Sequence, residues 1–544
     1  MLNLHLDYCE EQYDEHGVLC KFTPKYDDKF NFAYDVVDRL GTETPGRRAM
    51  FWCNEAGEER TFTFGDMKKY SDKAANMFVK CGVKNGDFVM LILKRHYEFW
   101  FAILALHKIG AVAIPATNLL TKKDLLYRFE SAGVSAIVCT GEGDIAAHVD
   151  DAQVEYPALK TKLMVHGTRD GWLDFNDEMN KSADTFERRD TNAFDPMLLY
   201  FTSGTTGYPK MVMHDYTYPI AHIVTAKHWH NVVPDGLHLT LSDTGWAKSM
   251  WGKLYGQWLM EAGVFVCDFN KFSAQSLLPL IKKYGITTFC APPTMFRFFI
   301  KEDLKQFDLS SLVYTTIAGE ALNPEVYNQW LDATGLKLME GFGQTETTLQ
   351  IATLTNMTPK PGSIGKPSPL YDVFLADENG NPAQPGAIGE IVFRTGSEKS
   401  VGVFCGYYKD PEKTSELWHD GLYHTGDTAW VDEDGYFWYV GRMDDIIKSS
   451  GYRIGPFEIE SVLMEHPSVL ECAVIGVPDE VRGQVVKATI VLAKGYEASE
   501  ELKKELQNHV KAVTAPYKYP RIVEFVAELP KTISGKIKRI DLRK

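Results

Sequence analysis

Between Tyr200 and Lys210 the chain reads Tyr-Phe-Thr-Ser-Gly-Thr-Thr-Gly-Tyr-Pro-Lys. An apolar run from Met197 to Phe201 enters a loop where Gly204 and Gly207 let backbone N–H groups converge. Thr202, Ser203, Thr205 and Thr206 add hydroxyl donors, and Lys210 adds a positive charge, which together make a phosphate cradle. It is not a Walker A loop, because Pro209 precedes the lysine and Met211 follows it where Ser or Thr would stand. A second string, Glu340-Gly-Phe-Gly-Gln-Thr-Glu346, offers a ring to stack on a flat base, a Thr345 hydroxyl to donate to phosphate or carboxylate, and a hard oxygen ligand for Mg²⁺ in Glu346. Taken singly these are bland residues. Glu346 alone reads as a solvated turn carboxylate, Thr425-Gly426-Asp427 as an Asx-type turn, Arg442 as a surface ion-pair partner and Lys536 as a solvated charge.

Something must hold these strings together. Phe88 to Leu93, Tyr97 to Lys108, Ala111 to Ile114 and later Thr287 to Ala291 alternate strand-like and helix-like patterns, which predicts βαβ units with largely parallel sheets. From Tyr371 to Tyr439 short strands with turn signals such as Asp377-Glu-Asn-Gly predict a small β-rich subdomain. The last hundred or so residues read as a separate α+β module, with Pro456 opening a helix, strands over 471–477 and 485–492, and a helix over 499–510. The expected class is therefore α/β: a large N-terminal domain (1–443) of two βαβ-type subdomains plus the β-rich one, then a mobile α+β C-terminal domain (444–544). The polar segment Gly441-Arg-Met-Asp-Asp445 is the expected joint, and the family resemblance set out below implies Asp444 within it as the hinge.

With 544 residues, 44% of them hydrophobic, the chain can bury more than one core. A formal charge of -15 excludes a broad basic nucleic-acid surface, though not a phosphate ligand held by a local cluster. Nine cysteines without a C-x-x-C pair fit reduced thiols, and the start has neither the basic segment nor the long apolar run of a signal peptide, so a cytoplasmic enzyme is expected. Phe99 to Leu120 is the most apolar stretch. His107, Lys108 and Gly110 interrupt it, so it reads as a buried helix turning into a strand rather than a membrane span.

Thr202 to Lys210 resembles the phosphate loop of the adenylate-forming superfamily. Gly319-Glu320-Ala321-Leu322, Gly341 to Glu346, Tyr423 to Asp427, Gly441 to Asp445, Ser450 to Arg453 and Pro530 to Lys536 follow in that superfamily's order. The resemblance runs over roughly residues 40 to 544 and is closest to medium-chain acyl-CoA synthetases, then to acetyl-CoA synthetases. It implies ATP, Mg²⁺ and coenzyme A as ligands and a carboxylic acid as substrate, with no nucleic acid or membrane partner, in a monomer or homodimer. It implies an ATP/AMP site of Thr202 to Gly207, Lys210, Gly319, Glu320, Ala321, Glu340 to Thr345, Asp427, Arg442 and Lys536, with Glu346 and Thr206 toward the metal. Asp427 takes the ribose-diol role. Lys536, with Lys210 and Thr345, takes the catalytic one: a positioned ammonium is worth most where charge builds on the phosphoryl oxygens in the transition state. Ser450, Gly451, Tyr452, Arg453, Arg482 and Tyr519 take coenzyme A.

For the acyl pocket, acetate-specific relatives carry a tryptophan at the position of Gly343, so its hydrogen should leave room for a longer or branched chain. Trp246 and Trp251 should form the opposite wall and Cys290 should line the same region, with Lys248 snorkelling outwards or pointing away. A short to medium or branched acid follows. The alternatives left open are a different thiol or amine acceptor, a luciferase-type oxygenase, a catalytically silent nucleotide binder, and an ADP-releasing kinase-like enzyme.

Overall fold

The computed structural model describes residues 1–202, 208–396, 400–450, 452–532 and 536–543. Two large sheets form the body. One runs in the order Lys210–Asp215, Pro196–Thr202, Val112–Pro115, Phe88–Ile92, Val134–Thr140, Thr161–Val165, Leu173–Asp174. Its neighbours are parallel except for the first hairpin. The other has a parallel centre of Arg48–Asn54, Gly263–Asp268, Leu237–Thr240, Thr288–Ala291, Tyr314–Ala318 and Leu338–Gly343, with antiparallel strands added at each edge. These central strands are buried along most of their length, polar residues such as His238, Thr315 and Glu340 included, as suits a parallel sheet covered on both faces.

Glu98–Ile109 is a helix buried along its whole length; it stops at Gly110 (φ +85°), and the chain re-enters the sheet at Val112. The helix-into-strand reading holds. Among the described residues no helix is long and apolar enough to cross a membrane. Lys108 is tolerated in that helix because its ammonium lies 2.6 Å from both Asp38 and Asp72, and Lys68 pairs with Asp72 at 2.7 Å.

A third sheet (Val373–Ala376, Gly389–Arg394, Leu422–Val431, Trp418–His419, Phe437–Arg442) is the β-rich part. The last lobe has its own sheet (Ile447–Ser449, Tyr452–Ile454, Val469–Asp479, Gly483–Leu492, Ile522–Phe525) and its own apolar core, covered by helices Pro456–Glu465 and Glu500–Val513. The expected strands and helices are present with ends shifted by at most three residues, the second helix starting after Ser499, whose side chain accepts from the Leu502 N–H. The lobe is seated on the body through Asn323, which donates to the Ser461 carbonyl at 3.1 Å, and through Arg453 paired with Glu378.

Because Lys108 is the buried cation between Asp38 and Asp72, Lys108→Met should cost about 3–5 kcal/mol in urea unfolding by leaving two carboxylates to the partly exposed Lys68. Adding Asp72→Asn should recover part of that loss. A near-neutral single variant would show that the ion cluster is not a structural requirement.

Candidate functional site

Hairpin register sets the first side of the site, with Thr202 directly opposite Lys210. Ser203, Gly204, Thr205, Thr206 and Gly207 lie outside the described residues. The Lys210 ammonium donates to the Tyr407 hydroxyl at 3.3 Å and lies 4.8 Å from that ring's centre, while Tyr407 donates to Glu346 Oε1 at 2.7 Å. Burial, then the Glu346 charge, pushes the Tyr407 phenol far up, so it stays protonated. Lysine, phenol and carboxylate thus form one chain. Sequence reading missed Tyr407, whose spacing to Lys210 and Glu346 carries no signal; it arrives through a bridge to Val212 on the hairpin.

The strand Leu338–Gly343 delivers the second string. At Gly341 a Cβ would stand 2.6 Å from Trp229, and at Gly343 it would stand 2.2 Å from the Thr348 carbonyl and 2.6 Å from Trp251. Two indoles therefore press against backbone that carries no side chain, edge to face with their centres 6.4 Å apart. Trp229, which donates to the Met339 carbonyl at 2.9 Å, was also missed. Phe342 lies 6.1 Å from Tyr439 at a 38° tilt. Gln344 donates to the Thr425 carbonyl at 2.8 Å and to Asp427 Oδ2 at 2.7 Å, and accepts from Tyr423 at 3.0 Å. The Thr345 carbonyl oxygen is 2.7 Å from His214 Nε2, which must carry the proton there since a carbonyl only accepts.

Asp427 is 4% exposed, and Tyr439 donates to its Oδ1 at 2.9 Å. Burial raises its carboxyl above the usual range, while Arg442, opposite in the strand register and 3.9 Å away, pulls it back down. Two of its roughly four lone-pair directions are taken, which leaves acceptor capacity. The charge of Lys536, on the last lobe, acts on Asp427 and also on Lys248. The Lys536 backbone is pinned by Thr532, whose Oγ1 accepts its N–H at 3.1 Å and whose N–H donates to its carbonyl at 2.7 Å.

Lys248 corrects an expectation. Instead of pointing away it turns inward, donating to the Ala318 carbonyl at 2.5 Å beneath Gly319 (φ +112°), and burial lowers its ammonium pKa. Cys290 is buried. Trp246 sits half-buried as the cap of helix Ala247–Lys253, and Trp251 is buried. Glu320, next to Ala321, accepts from Thr294 at 3.1 Å and lies 3.7 Å from Arg297.

The residues read for coenzyme A gather on the last lobe, apart from this cluster. Ser450 (φ +52°) donates to the Arg482 carbonyl at 2.9 Å, and Tyr452 stacks on Tyr517 at 4.0 Å. Tyr519 lies between Lys511 and Arg521, and Arg453 is held by Glu378. Gly451 lies outside the described residues. At the joint, Asp444 is 3.8 Å from Arg442, and Arg543 donates to the Asp444 carbonyl at 3.1 Å and to Asp445 Oδ1 at 2.5 Å.

Residues 37–408 match the AMP-binding enzyme family, and residues 458–536 match the AMP-binding enzyme C-terminal domain. The chain belongs to the AMP-binding enzyme family. This AMP-binding enzyme is 44% identical over 531 residues to acyl-coenzyme A synthetase ACSM3, mitochondrial, of Mus musculus, covering 96% of this chain and 91% of the relative. Against acyl-coenzyme A synthetase ACSM4, mitochondrial, of Rattus norvegicus it is 45% identical over 524 residues, covering 94% and 90%. Among solved structures, the anthranilate CoA ligase AuaEII in complex with anthranoyl-AMP aligns with a TM-score of 0.87 at 29% identity, covering 95% of this chain and 97% of that one. The curated relatives are mitochondrial, which overturns the cytoplasmic placement. Reduced cysteines distinguish reducing from oxidising surroundings and cannot choose between two reducing compartments.

Glu340 supplies a pH test. It is buried, Oε1 accepts the Leu322 N–H at 3.0 Å, Oε2 has no hydrogen-bond partner, and burial pushes the carboxyl up to about 8. A folded-state pKa above the unfolded 4.5 means that this group's stability is fully present below pH 4.5 and is lost as pH rises toward about 8. Glu340→Gln should flatten that decline, which amounts to a few kcal/mol, in urea midpoints taken from pH 5 to 9. Parallel curves for both proteins would refute the assignment.

Proposed function

We propose that this AMP-binding enzyme is an acyl-CoA synthetase that converts ATP and a carboxylate to acyl-adenylate and pyrophosphate, then passes the acyl group to the thiol of coenzyme A, releasing AMP. The observation that carries this is the Lys210–Tyr407–Glu346 chain leading along one string to Gln344 and the buried Asp427, in a chain whose two family matches cover both the body and the last lobe. Two opposed cationic sources, Lys210 on the hairpin and Lys536 on the lobe, suit a triphosphate cut between its first and second phosphorus atoms. The acid's carboxylate oxygen attacks the α-phosphorus and pyrophosphate leaves, and charge gathering on the phosphoryl oxygens is met by Lys536 and the Thr345 hydroxyl. Phe342 with Tyr439 offers the base a flat wall, and Asp427 accepts the ribose hydroxyls. Glu346, a carboxylate already oriented by Tyr407, suits Mg²⁺, which when bound supplies charge neutralisation to the phosphates.

In the second step the thiol sulfur attacks the acyl carbon and AMP leaves. The set Ser450 to Arg453, Arg482 and Tyr519 belongs to that step. It requires the lobe, residues 444–544, to turn about Asp444, because here the lobe offers Lys536 to the nucleotide residues. The acid is short to medium or branched, as suits an entry step into fatty acid metabolism, and the active species is a monomer or homodimer.

With the right acid, labelled pyrophosphate should exchange into ATP, and AMP should be the nucleotide product. ADP would overturn the proposal, and adenylate without thioester would point to another acceptor. Lys536→Ala should slow exchange about 10²–10³-fold while leaving the fold intact. Trp251→Ala should shift the preference in kcat/KM across an acid panel toward longer chains, and an unchanged preference would remove Trp251 from the pocket wall.

A further inference from the structure

Away from this site, two thiols stand side by side. Strands Arg48–Asn54 and Gly263–Asp268 are parallel neighbours in which Phe51 faces Phe265 and Cys53 faces Cys267. Alternate residues share a face of a sheet. The Phe51 and Phe265 rings stack at 5.9 Å and 18°, so the two sulfurs project from that same face one step further along. Neighbouring strands lie about 4.8 Å apart, inside the roughly 4.4–6.8 Å Cα spacing that a disulfide spans. In no other described strand register do two cysteines face each other.

The two sulfurs are not equivalent. Cys53 is buried and Cys267 only partly so. The neighbouring Cys53 thiol, then the charges of Lys253 and Arg95, hold the Cys267 thiol below its usual range against its burial and the nearby Asp268. The neighbouring Cys267, then burial and Glu59, push Cys53 up, with Lys283 opposing. A partly exposed sulfur with thiolate character beside a buried, protonated one is the arrangement of an attacking and a resolving thiol.

We propose that Cys53 and Cys267 form a two-electron redox site that closes to a disulfide with hydrogen peroxide as the oxidant. The Cys267 thiolate attacks one peroxide oxygen, the O–O bond breaks, and the departing hydroxide takes a proton to leave as water, giving a sulfenic acid. The Cys53 sulfur then attacks the Cys267 sulfur. The S–O bond breaks, and the Cys53 proton goes to the leaving hydroxide, which departs as a second water. Two thiols are oxidised, one peroxide is reduced and two waters form. The strands already hold the needed spacing, so closure requires no sheet rearrangement.

The test is peroxide treatment of the whole protein, alkylation of remaining thiols, digestion without reductant and mass spectrometry. The expected product in most molecules is a peptide pair joining residues 53 and 267, two hydrogen masses below the sum of its parts and abolished by dithiothreitol. Cys53→Ser should instead accumulate Cys267 sulfenic acid, trapped by dimedone, because a serine hydroxyl cannot resolve it. Wild-type protein that carries Cys267 as sulfinic acid without the 53–267 link, or links Cys267 to exposed Cys20 or Cys405, overturns the proposal.

Discussion

A buried carboxylate organises this molecule. Asp427 takes a hydrogen bond from Gln344, at the end of the second large sheet, and another from Tyr439, on its own β-rich sheet. It faces Arg442 across the hairpin and feels the charge of Lys536 from the last lobe. An unpaired charge at that depth would be costly, so its neighbours are obliged to supply donors and cations. In doing so they bring three separately folded parts to one point. The residues proposed for the nucleotide lie around that point, and the Lys210 hairpin reaches the same string through Tyr407 and Glu346.

Much of this was legible in the chain. The alternation of patterns from Phe88 to Ile114 reports two-sided burial, and the observed sheets follow from it. Lys108 inside an apolar run looked like a flaw in a membrane span, and its two aspartate partners explain why a buried helix accepts it. Motif strings such as Gly341 to Glu346 were visible because catalytic chemistry restricts consecutive positions. Tyr407 and Trp229 were not, because they reach the site through strand bridging and packing over long sequence separations, which leave no local pattern. Lys248 was misplaced for a related reason. A lysine beside two tryptophans reads as a snorkelling side chain until the Ala318 carbonyl is seen to receive it.

Electrostatics divides the last lobe into two faces. Lys536 sits exposed on a turn closed by Thr532, where its charge reaches Asp427, whereas Ser450, Tyr452, Arg482 and Tyr519 stay with their own lobe's partners. Arg543 grips both residues of the Asp444-Asp445 joint from the chain's far end, so the segment expected to pivot is also a segment under restraint. Bond lengths near 2.5–3.1 Å to a carbonyl and a carboxylate suit a contact that can be exchanged for water at modest net cost.

Gly343 changes meaning once its surroundings are known. By itself it looks like an empty seat where a larger residue could sit and shorten the pocket. The Thr348 carbonyl, 2.2 Å from where a Cβ would stand, bars any side chain there unless the backbone moves. Change here is therefore channelled away from the strand and onto the short helix that carries Trp251, whose ring stands 2.6 Å from the same point. The strand's share is fixed by main-chain geometry, and only the indole plate laid against it is free to drift.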